Sequence, residues 1–345
     1  MNVDKFKNKG LSGLYNLGNT CFINSCVQIL SHTYELNLFF DSIYFKKLLN
    51  IEKDETNIII EWNNLRKQLW KTNTVVTPLK FLNSIQSFSL KKGNNNFSGF
   101  LQNDITEFLL FIIDIFHNSI SNPVNINING NIKTDTDQIA LTCFKMIQDQ
   151  YSIQFSEIIN LFYSIQISKI TSLENNKILS IKPEPYFIIN LPIPQHIKVP
   201  SLYDCFDLYT QSEALIGENA WYNEETKQKV DINKTICFWN FPKILVIDIK
   251  RFNSNNVKNK KLITFPLNKL NLSKYSIGYH NDKCVYDLYG VCNHSGGVLG
   301  GHYTSYIKNA NNKWYHFNDT VVNEVLNLNV IVHPNAYCFF YRKQL

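Results

Sequence analysis

Two segments near opposite ends of this chain constrain its fold most strongly. Cys21 lies within a run of glycines, asparagines and small residues, and His302 follows a pair of glycines far downstream. Asn318 and Asp319 come shortly after this histidine. Nucleophilic chemistry by a thiol requires a cysteine, a histidine and an amide or carboxylate to meet in space. The sequence therefore favours a fold that brings its two ends together.

The apolar residues after Cys21 have the i, i+3, i+4, i+7 spacing of an amphipathic helix. They are Ile23, Cys26, Val27 and Leu30. Cys21 would then lie at the first helical turn, where unpaired N–H groups and the helix dipole favour the thiolate over the thiol.

The loop before this helix carries a second candidate residue. Gly13 and Gly18 allow the loop to fold tightly, and Asn16 can bring its side-chain NH2 group near the sulfur. That amide suits an oxyanion hole, in which a donor meets the charge that develops on a carbonyl oxygen. Taken alone, Cys21 is better interpreted as a buried core cysteine and Asn16 as a turn residue. The long pattern of residues around Cys21 reverses this preference.

The segment after His302 predicts a β-hairpin. Residues 303–308 and 314–317 are rich in aromatic and β-branched residues, and the residues between them have turn chemistry. A turn centred near Ala310 would make His302 and Asn318 cross-strand neighbours. The Asn318 side-chain oxygen could then accept a hydrogen bond from one imidazole nitrogen and leave the other facing the thiol.

Asp319 follows Asn318 and points to the opposite face of an ideal strand. We therefore predict Asn318 as the residue that orients His302, and Asp319 as an auxiliary. The alternative for this pair is an ordinary sheet contact without a catalytic role. His294 and His316 are predicted to be structural or surface residues.

The composition narrows the class of protein. The chain has 345 residues, 44% of them hydrophobic, and a formal net charge of +6. No apolar run is long enough to span a bilayer, and the N-terminal residues lack a signal-peptide pattern. We expect an intracellular protein, cytoplasmic or nuclear, that is monomeric and has no membrane partner. The basic cluster 250–261 is interpreted as a solvated loop, because no nucleic-acid motif accompanies it.

The cysteine pattern argues against both disulfides and metal. Eight cysteines are spread along the chain, and no pair has the C-x-x-C spacing of a structural zinc site. We expect the cysteines to be mostly reduced and buried, and we predict neither a metal nor a cofactor.

Residues 10–25 resemble the cysteine box of the ubiquitin-specific proteases, and residues 301–322 resemble their histidine box. Further landmarks appear in family order between the two boxes and after them. They are Gln102-Asn103-Asp104 with Glu107-Phe108-Leu109, Leu191-Pro192-Ile193-Pro194, Ser201-Leu202-Tyr203-Asp204-Cys205, Glu213-Ala214-Leu215, Asn219-Ala220-Trp221-Tyr222, Pro242-Lys243-Ile244-Leu245, Lys250-Arg251-Phe252, Phe265-Pro266, Tyr286-Asp287-Leu288-Tyr289-Gly290-Val291 and Ala336-Tyr337-Cys338-Phe339-Phe340-Tyr341.

The resemblance implies an α+β, papain-like cysteine peptidase fold with a helical thumb, a β-rich palm and β fingers. It implies one catalytic domain over residues 10–343, with the thumb near 10–150, mainly fingers over 151–240 and mainly palm over 241–343. The implied reaction is hydrolysis of the peptide or isopeptide bond after the C-terminal Gly-Gly of ubiquitin. The short flanks suggest a catalytic core without added domains.

The resemblance also assigns roles to residues. It makes Cys21 the nucleophile, His302 the general base and then acid, Asn318 the orienting residue, and Asn16 the oxyanion-hole donor. Asp319 is a second contributor, because a neutral amide cannot stabilise the imidazolium by charge.

Five residues are predicted to bind the substrate tail. Asp104 and Glu107 would meet the arginines that precede the Gly-Gly of ubiquitin, although ordinary N-terminal helix charge is the alternative reading for both. Gly301 and Tyr303 would form walls of a narrow channel, and Gln102 belongs to the same set.

Many relatives carry two C-x-x-C pairs that bind zinc at the tip of the fingers, and this chain has neither. The fingers are therefore predicted to be metal-free. Two other functions are compatible with the same residues: the same chemistry on a ubiquitin-like modifier, and an inactive scaffold that binds ubiquitin.

Overall fold

A computed structural model describes residues 3–224, 226–279, 281–297 and 300–344. Most of its α-helices lie in the first half of the chain. They are α1 (Cys21–Ser31), α2 (Tyr34–Asp41), α3 (Ile43–Leu48), α4 (Thr56–Lys71), α5 (Leu79–Lys91), α6 (Ile105–Ile120), α7 (Asp135–Ile153), α8 (Glu157–Phe162) and α9 (Leu202–Thr210).

The strands occupy the second half of the chain. They are β1 (Ser164–Ser172), β2 (Ile178–Tyr186), β3 (Ile188–Leu191), β4 (Glu213–Leu215), β5 (Trp221–Asn223), β6 (Gln228–Val230), β7 (Ile232–Phe238), β8 (Ile244–Ile249), β9 (Leu270–Asn271), β10 (Val285–Gly297), β11 (Gly300–Lys308), β12 (Trp314–Asn318), β13 (Val321–Glu324) and β14 (Ala336–Lys343).

An eight-stranded sheet forms the centre of the molecule, in the order β13-β12-β11-β10-β14-β8-β3 with β9 paired to β10. Its pairs are antiparallel except β3 with β8, which is parallel. All six residues of β8 are buried, because apolar side chains cover both faces of the sheet. One face packs against the helices and the other against α9 and the chain around Phe265.

A four-stranded antiparallel sheet, in the order β2-β1-β7-β4, forms a second layer of structure. Helix α7 packs on it through Ala140 and Cys143, which form a small core with Ile165, Ile167 and Trp239. Strands β5 and β6 form a separate two-stranded ribbon. The mixture of a helical region with largely antiparallel sheets is an α+β architecture.

Helix α1 begins at Cys21, as the spacing of apolar residues predicts, but it is buried on every side rather than on one face. All eleven of its residues are buried. It lies between the other helices and strands β10 to β12, so even its polar residues Asn24 and Gln28 are inside the protein. A helix that is buried all round is held rigidly from every side, and this fixes the position of Cys21.

Candidate active site

The tight loop before α1 sets the direction in which Cys21 enters the helix. Gly18 has a φ of 106° and Asn19 a φ of 53°, so both adopt left-handed backbone. The Asn16 side-chain oxygen accepts hydrogen bonds from the backbone N–H of Gly18 and of Thr20, each at 3.1 Å. The predicted tight loop is therefore present, and Asn16 organises it.

The environment of the Cys21 thiol is less favourable to a thiolate than the sequence suggests. Cys21 is only 2% exposed, and this burial raises its pKa above the ordinary value. Backbone hydrogen bonds from Tyr303, Phe22 and Cys21 itself lower the pKa, whereas the negative charge of Asp319 raises it. Because burial is the largest of these effects, the resting thiol is protonated and needs a base to ionise it.

The pH dependence of alkylation tests this protonation state. Iodoacetamide reacts with the thiolate, so its rate at Cys21 should increase about tenfold per pH unit between about pH 6 and pH 8. Mass spectrometry of the Cys21 peptide measures this rate, and the Cys21→Ala variant gives the background of the other cysteines. A rate that is already constant over this interval would show a preformed thiolate and contradict the raised pKa.

His302 and Asn318 meet as predicted, although the hairpin register differs from the expected one. Nε2 of His302 lies 2.7 Å from Oδ1 of Asn318. Ser305 pairs with Phe317 in the sheet, so the turn is centred on Asn311 rather than Ala310. The five-residue connection needs left-handed backbone at Asn312, and this moves the register by two residues. A shift of two residues keeps both side chains on the same face of the sheet.

Asp319 is bound to two asparagine amides rather than to the histidine. Nδ2 of Asn16 donates to its carboxylate at 3.0 Å, and Nδ2 of Asn24 donates to the other oxygen at 2.8 Å. Its φ of 48° and a backbone hydrogen bond from Leu14 hold it at a turn after β12. The carboxylate thus fixes the orientation of the Asn16 amide in the loop before α1.

Asn24 is a site residue that the sequence interpretation missed. It lies one helical turn after Cys21 and is buried, and its amide also donates to the Tyr15 carbonyl at 3.3 Å. The sequence signal for Asn24 is a polar residue inside an apolar helical stretch. This signal does not identify Asn24 as a site residue, because its partner Asp319 comes from the distant end of the chain.

Gly13 permits the close approach of the turn that carries Asp319. A Cβ atom on residue 13 would lie 2.3 Å from the Thr320 carbonyl oxygen. Gly13→Ala should therefore lower the free energy of unfolding by about 1–3 kcal/mol, as overpacking does in well-packed regions. Urea denaturation measures this loss.

Gly99→Ala is the matched control, since a Cβ atom there meets no heavy atom within 4 Å. It should change the free energy of unfolding by less than about 0.5 kcal/mol. Equal effects of the two substitutions would contradict the close approach at Gly13.

A cleft of about 580 Å³ is lined by Tyr303, the residue that follows His302 in the chain. Four of the five predicted substrate-binding residues line it: Gln102, Asp104, Glu107 and Tyr303. The cleft lies between the start of α6 and strands β8, β10, β11 and β14. Its walls therefore come from both the helical part and the sheet part of the molecule.

The two acidic residues predicted to bind the substrate tail differ in their contacts. Asp104 caps α6 by accepting from the Thr106 N–H at 2.7 Å, and its second oxygen accepts from Tyr337 at 2.6 Å and from Tyr303 at 3.5 Å. Asp104 thus has the geometry of a helix N-cap and also contacts two tyrosines of the cleft. Glu107 is exposed, and no described residue pairs with its carboxylate.

Gln102 and Gly301 bind each other across one end of the cleft. The Gln102 side chain donates to the Gly301 carbonyl at 2.6 Å and accepts from the Gly301 N–H at 2.7 Å. Residue 301 has to be glycine, because a Cβ atom there would lie 2.2 Å from Nε2 of His294. This pair of hydrogen bonds fixes the backbone immediately before His302.

The basic cluster 250–261 stabilises loops. The buried Arg251 guanidinium donates to the carbonyls of Ala336, Asn259 and Lys261. Nζ of Lys261 donates to three carbonyls between residues 194 and 197. His294, predicted to be a structural or surface residue, is buried, and burial together with Lys258 lowers its pKa to about 4.

All eight cysteines are free, and every one except Cys237 is buried. In the described part of the chain, no three histidine, cysteine, aspartate or glutamate side chains are grouped so as to hold a metal ion. None of the helices over the same residues has the length and apolar character to cross a membrane.

A cysteine at a helix start, a histidine bonded to an amide and an oriented asparagine define the class of a thiol hydrolase. The sequence model of the ubiquitin carboxyl-terminal hydrolase family matches residues 12–341. The chain belongs to this family, whose members are cysteine-type deubiquitinating enzymes.

Several similar proteins agree with this assignment. Ubiquitin carboxyl-terminal hydrolase 2 of Homo sapiens is 31% identical over 349 residues, which cover 96% of this chain and 55% of that protein. Ubiquitin carboxyl-terminal hydrolase Usp2 of Drosophila melanogaster is 31% identical, and the match covers 98% of this chain and 35% of that protein. Ubiquitin carboxyl-terminal hydrolase 2 of Gallus gallus is 33% identical, and the match covers 96% of this chain and 93% of that protein. The chain thus spans about half or less of the human and fly relatives.

Solved structures support the fold. The chain matches a SAGA DUB module of Ubp8, Sgf11, Sus1 and Sgf73 bound to monoubiquitin with a TM-score of 0.74 and 23% identity, covering 98% of this chain and 70% of that one. The same module bound to ubiquitin aldehyde matches with a TM-score of 0.74 and 24% identity, with the same coverage. The predicted ubiquitin-specific protease resemblance and the papain-like α+β fold are confirmed.

Proposed function

We propose that this chain is a thiol-dependent deubiquitinase that hydrolyses the peptide or isopeptide bond after the C-terminal Gly-Gly of ubiquitin. The strongest support for this proposal is that the segment carrying Cys21 packs against the distant segment carrying His302. Cys21 lies against the strand that carries His302, and the following residue, Tyr303, hydrogen-bonds the sulfur through its backbone. His302 is itself bonded to Asn318.

The His302–Asn318 bond defines which imidazole nitrogen acts as the base. The amide oxygen of Asn318 can only accept, so Nε2 carries the hydrogen and Nδ1 of the neutral ring is free to accept the thiol proton. As that proton moves to Nδ1, the sulfur attacks the substrate carbonyl and its π electrons move to the oxygen. The imidazolium then protonates the departing amine when the C–N bond breaks.

Asn16 is proposed to stabilise the oxyanion of this tetrahedral intermediate. Asp319 holds its Nδ2 group in the resting site, so the donor is already oriented before substrate enters. Water then attacks the thioester with His302 as the base, and the thiolate leaves and recovers its proton. Asn24 positions Asp319 from inside α1.

The cleft supports a proposal for the substrate tail. Gln102 and Gly301 hold one end, Tyr303 forms a wall, and Glu107 presents an exposed carboxylate suited to an arginine. Asp104 would act mainly by holding the tyrosines of the cleft. We further propose the division into thumb, fingers and palm near residues 150 and 240, with α7 packed on the fingers sheet.

Turnover of ubiquitin C-terminal coumarin amide tests the proposed function. We expect hydrolysis with saturation kinetics, and faster hydrolysis than for coumarin amides of other modifiers that end in Gly-Gly. Faster hydrolysis of another modifier would assign the chain to that modifier instead. Binding of ubiquitin without hydrolysis would assign it as an inactive scaffold.

We infer that the partners are ubiquitin and ubiquitinated proteins and that the chain works as a monomer without nucleic acid or membrane. The free cysteines favour a reducing compartment, the cytoplasm or the nucleus.

A further inference from the structure

The ring of His294 lies against the strand segment that carries His302. His294 is the cross-strand partner of Tyr303, and the centroids of their rings are 4.6 Å apart. Nε2 of His294 would lie 2.2 Å from a Cβ atom on Gly301, so the ring also lies against the backbone of this glycine. Gly301 and Tyr303 flank His302, whose own side chain points to the other face of the sheet because successive side chains of a strand alternate.

A lysine outside the cleft holds this ring in place. Nζ of Lys258 donates to the His294 carbonyl at 2.5 Å and lies 3.1 Å from Nδ1 of the same residue. Lys258 is half-buried, and it is not among the described residues that line the cleft of about 580 Å³. Lys258 therefore acts on the cleft through the residues that it holds.

The protonation states of the two side chains define the direction of their hydrogen bond. Burial and the nearby charges of Arg251 and Lys260 lower the pKa of Lys258 to about 8, so its Nζ is mainly an ammonium at neutral pH. Burial and Lys258 lower the pKa of His294 to about 4, against the opposing charge of Asp104, so its ring is neutral. An ammonium can only donate, so Nδ1 of His294 accepts and the ring hydrogen is on Nε2.

Lys258 also closes the loop that follows β8. It forms an isolated antiparallel bridge with Phe252, and its Nζ lies 5.9 Å from the centroid of the Phe252 ring. That ring is in turn 5.8 Å from the ring of His294. Among the described residues, no salt bridge involves Lys258. Its charge is therefore used to hold His294, and it joins the loop after β8 to strand β10.

Resting on the proposed function, we infer that Lys258 is a positioning residue for the reaction: it holds the His294 ring, and the ring supports the backbone on both sides of His302. On the opposite face of the sheet, Asn318 holds the His302 imidazole itself. The base is thus supported from two sides. Loss of the support from Lys258 would let the strand around His302 shift, and a small displacement of a catalytic group lowers the rate strongly.

Steady-state kinetics with ubiquitin C-terminal coumarin amide tests this role. Lys258→Met keeps the length of the side chain and removes its hydrogen bonds, and it should lower kcat by about 10-fold or more with KM within about twofold. Lys258→Arg should restore most of the lost kcat, since a guanidinium also donates charge-assisted hydrogen bonds. A rise in KM with kcat unchanged would show that Lys258 only anchors the loop and would overturn the inference, as would an equal fall of kcat in Lys258→Arg.

Lys261→Met is the matched control from the same basic cluster. Nζ of Lys261 also donates to backbone carbonyls, but these belong to residues 194–197 rather than to β10. Both methionine variants should unfold at a lower urea concentration than wild type, because each leaves carbonyls without their donor. Only Lys258→Met should lower kcat. An equal fall of kcat in both variants would show a general loss of structure and overturn the inference.

NMR of the imidazole nitrogens separates this inference from the proposed function, since it needs neither ubiquitin nor hydrolysis. Spectra are recorded at about pH 7.5, where an ordinary histidine is mostly neutral. In wild type, His294 and His302 should each show one tautomer, with the hydrogen on Nε2. In Lys258→Met both rings should show mixed tautomers, and Lys258→Arg should restore the single ones. The variants His294→Gln and His302→Gln assign the signals.

The two claims then fail in different ways. Unchanged His302 signals in Lys258→Met would overturn the positioning role even if hydrolysis is normal. The predicted change of tautomers, in a protein whose native form hydrolyses nothing, would refute the deubiquitinase and retain the role of Lys258 in holding the strand of His302.

Discussion

Cys21→Ala is expected to abolish hydrolysis of ubiquitin C-terminal coumarin amide, with a fall in kcat on the order of 10⁶-fold. Losses of this size follow removal of the nucleophile in other triad hydrolases. No other cysteine can replace it, because Cys26, the nearest in the sequence, is buried within α1 and its pKa is raised by burial alone.

Binding provides the control for this variant. Ubiquitin contacts are expected to be spread over the cleft and beyond, so Cys21→Ala should bind ubiquitin with a Kd within about threefold of wild type. Titration by fluorescence polarisation measures it. Loss of both hydrolysis and binding would mean that Cys21 supports the structure of α1 rather than the reaction.

Asp319→Ala is expected to lower kcat by about 10²–10³-fold, with little change in KM. Removal of one oxyanion-hole donor has an effect of this size. Asp319 receives the amides of Asn16 and Asn24, so its loss frees Asn16 to rotate away from the developing charge. The carboxylate itself makes no hydrogen bond to His302 among the described residues.

A double variant distinguishes this route from direct action on His302. If Asp319 acts through Asn16, then Asn16→Ala and Asp319→Ala together should be about as slow as the slower single variant. Multiplied losses would contradict the route and indicate that Asp319 acts on the imidazole. Asn318→Ala supplies the comparison, since Asn318 is the residue bonded to Nε2 of His302.

Features that depend on neighbouring residues in sequence were predicted well. The start of α1 at Cys21 and the hairpin of β11 and β12 follow from local spacing and turn chemistry. The His302–Asn318 contact was predicted through a register that is wrong by two residues. It survived because a shift of two preserves the face of the strand, whereas a shift of one would have separated the pair.

Features created by tertiary contacts were not predictable in the same way. The hydroxyl of Tyr337 reaches Asp104 from the last strand, so Asp104 contacts a tyrosine of the cleft as well as capping α6. The burial of α1 on all sides raises the pKa of the Cys21 thiol against the influence of the helix dipole.

The most direct test of the central claim is a ubiquitin probe that carries an electrophile at its C-terminus. The arrangement of Cys21, His302 and Asn318 predicts a single covalent adduct, mapped to the Cys21 peptide by mass spectrometry. The adduct should be absent in Cys21→Ala. An adduct on another cysteine, or one that persists in Cys21→Ala, would contradict the assignment of Cys21 as the nucleophile.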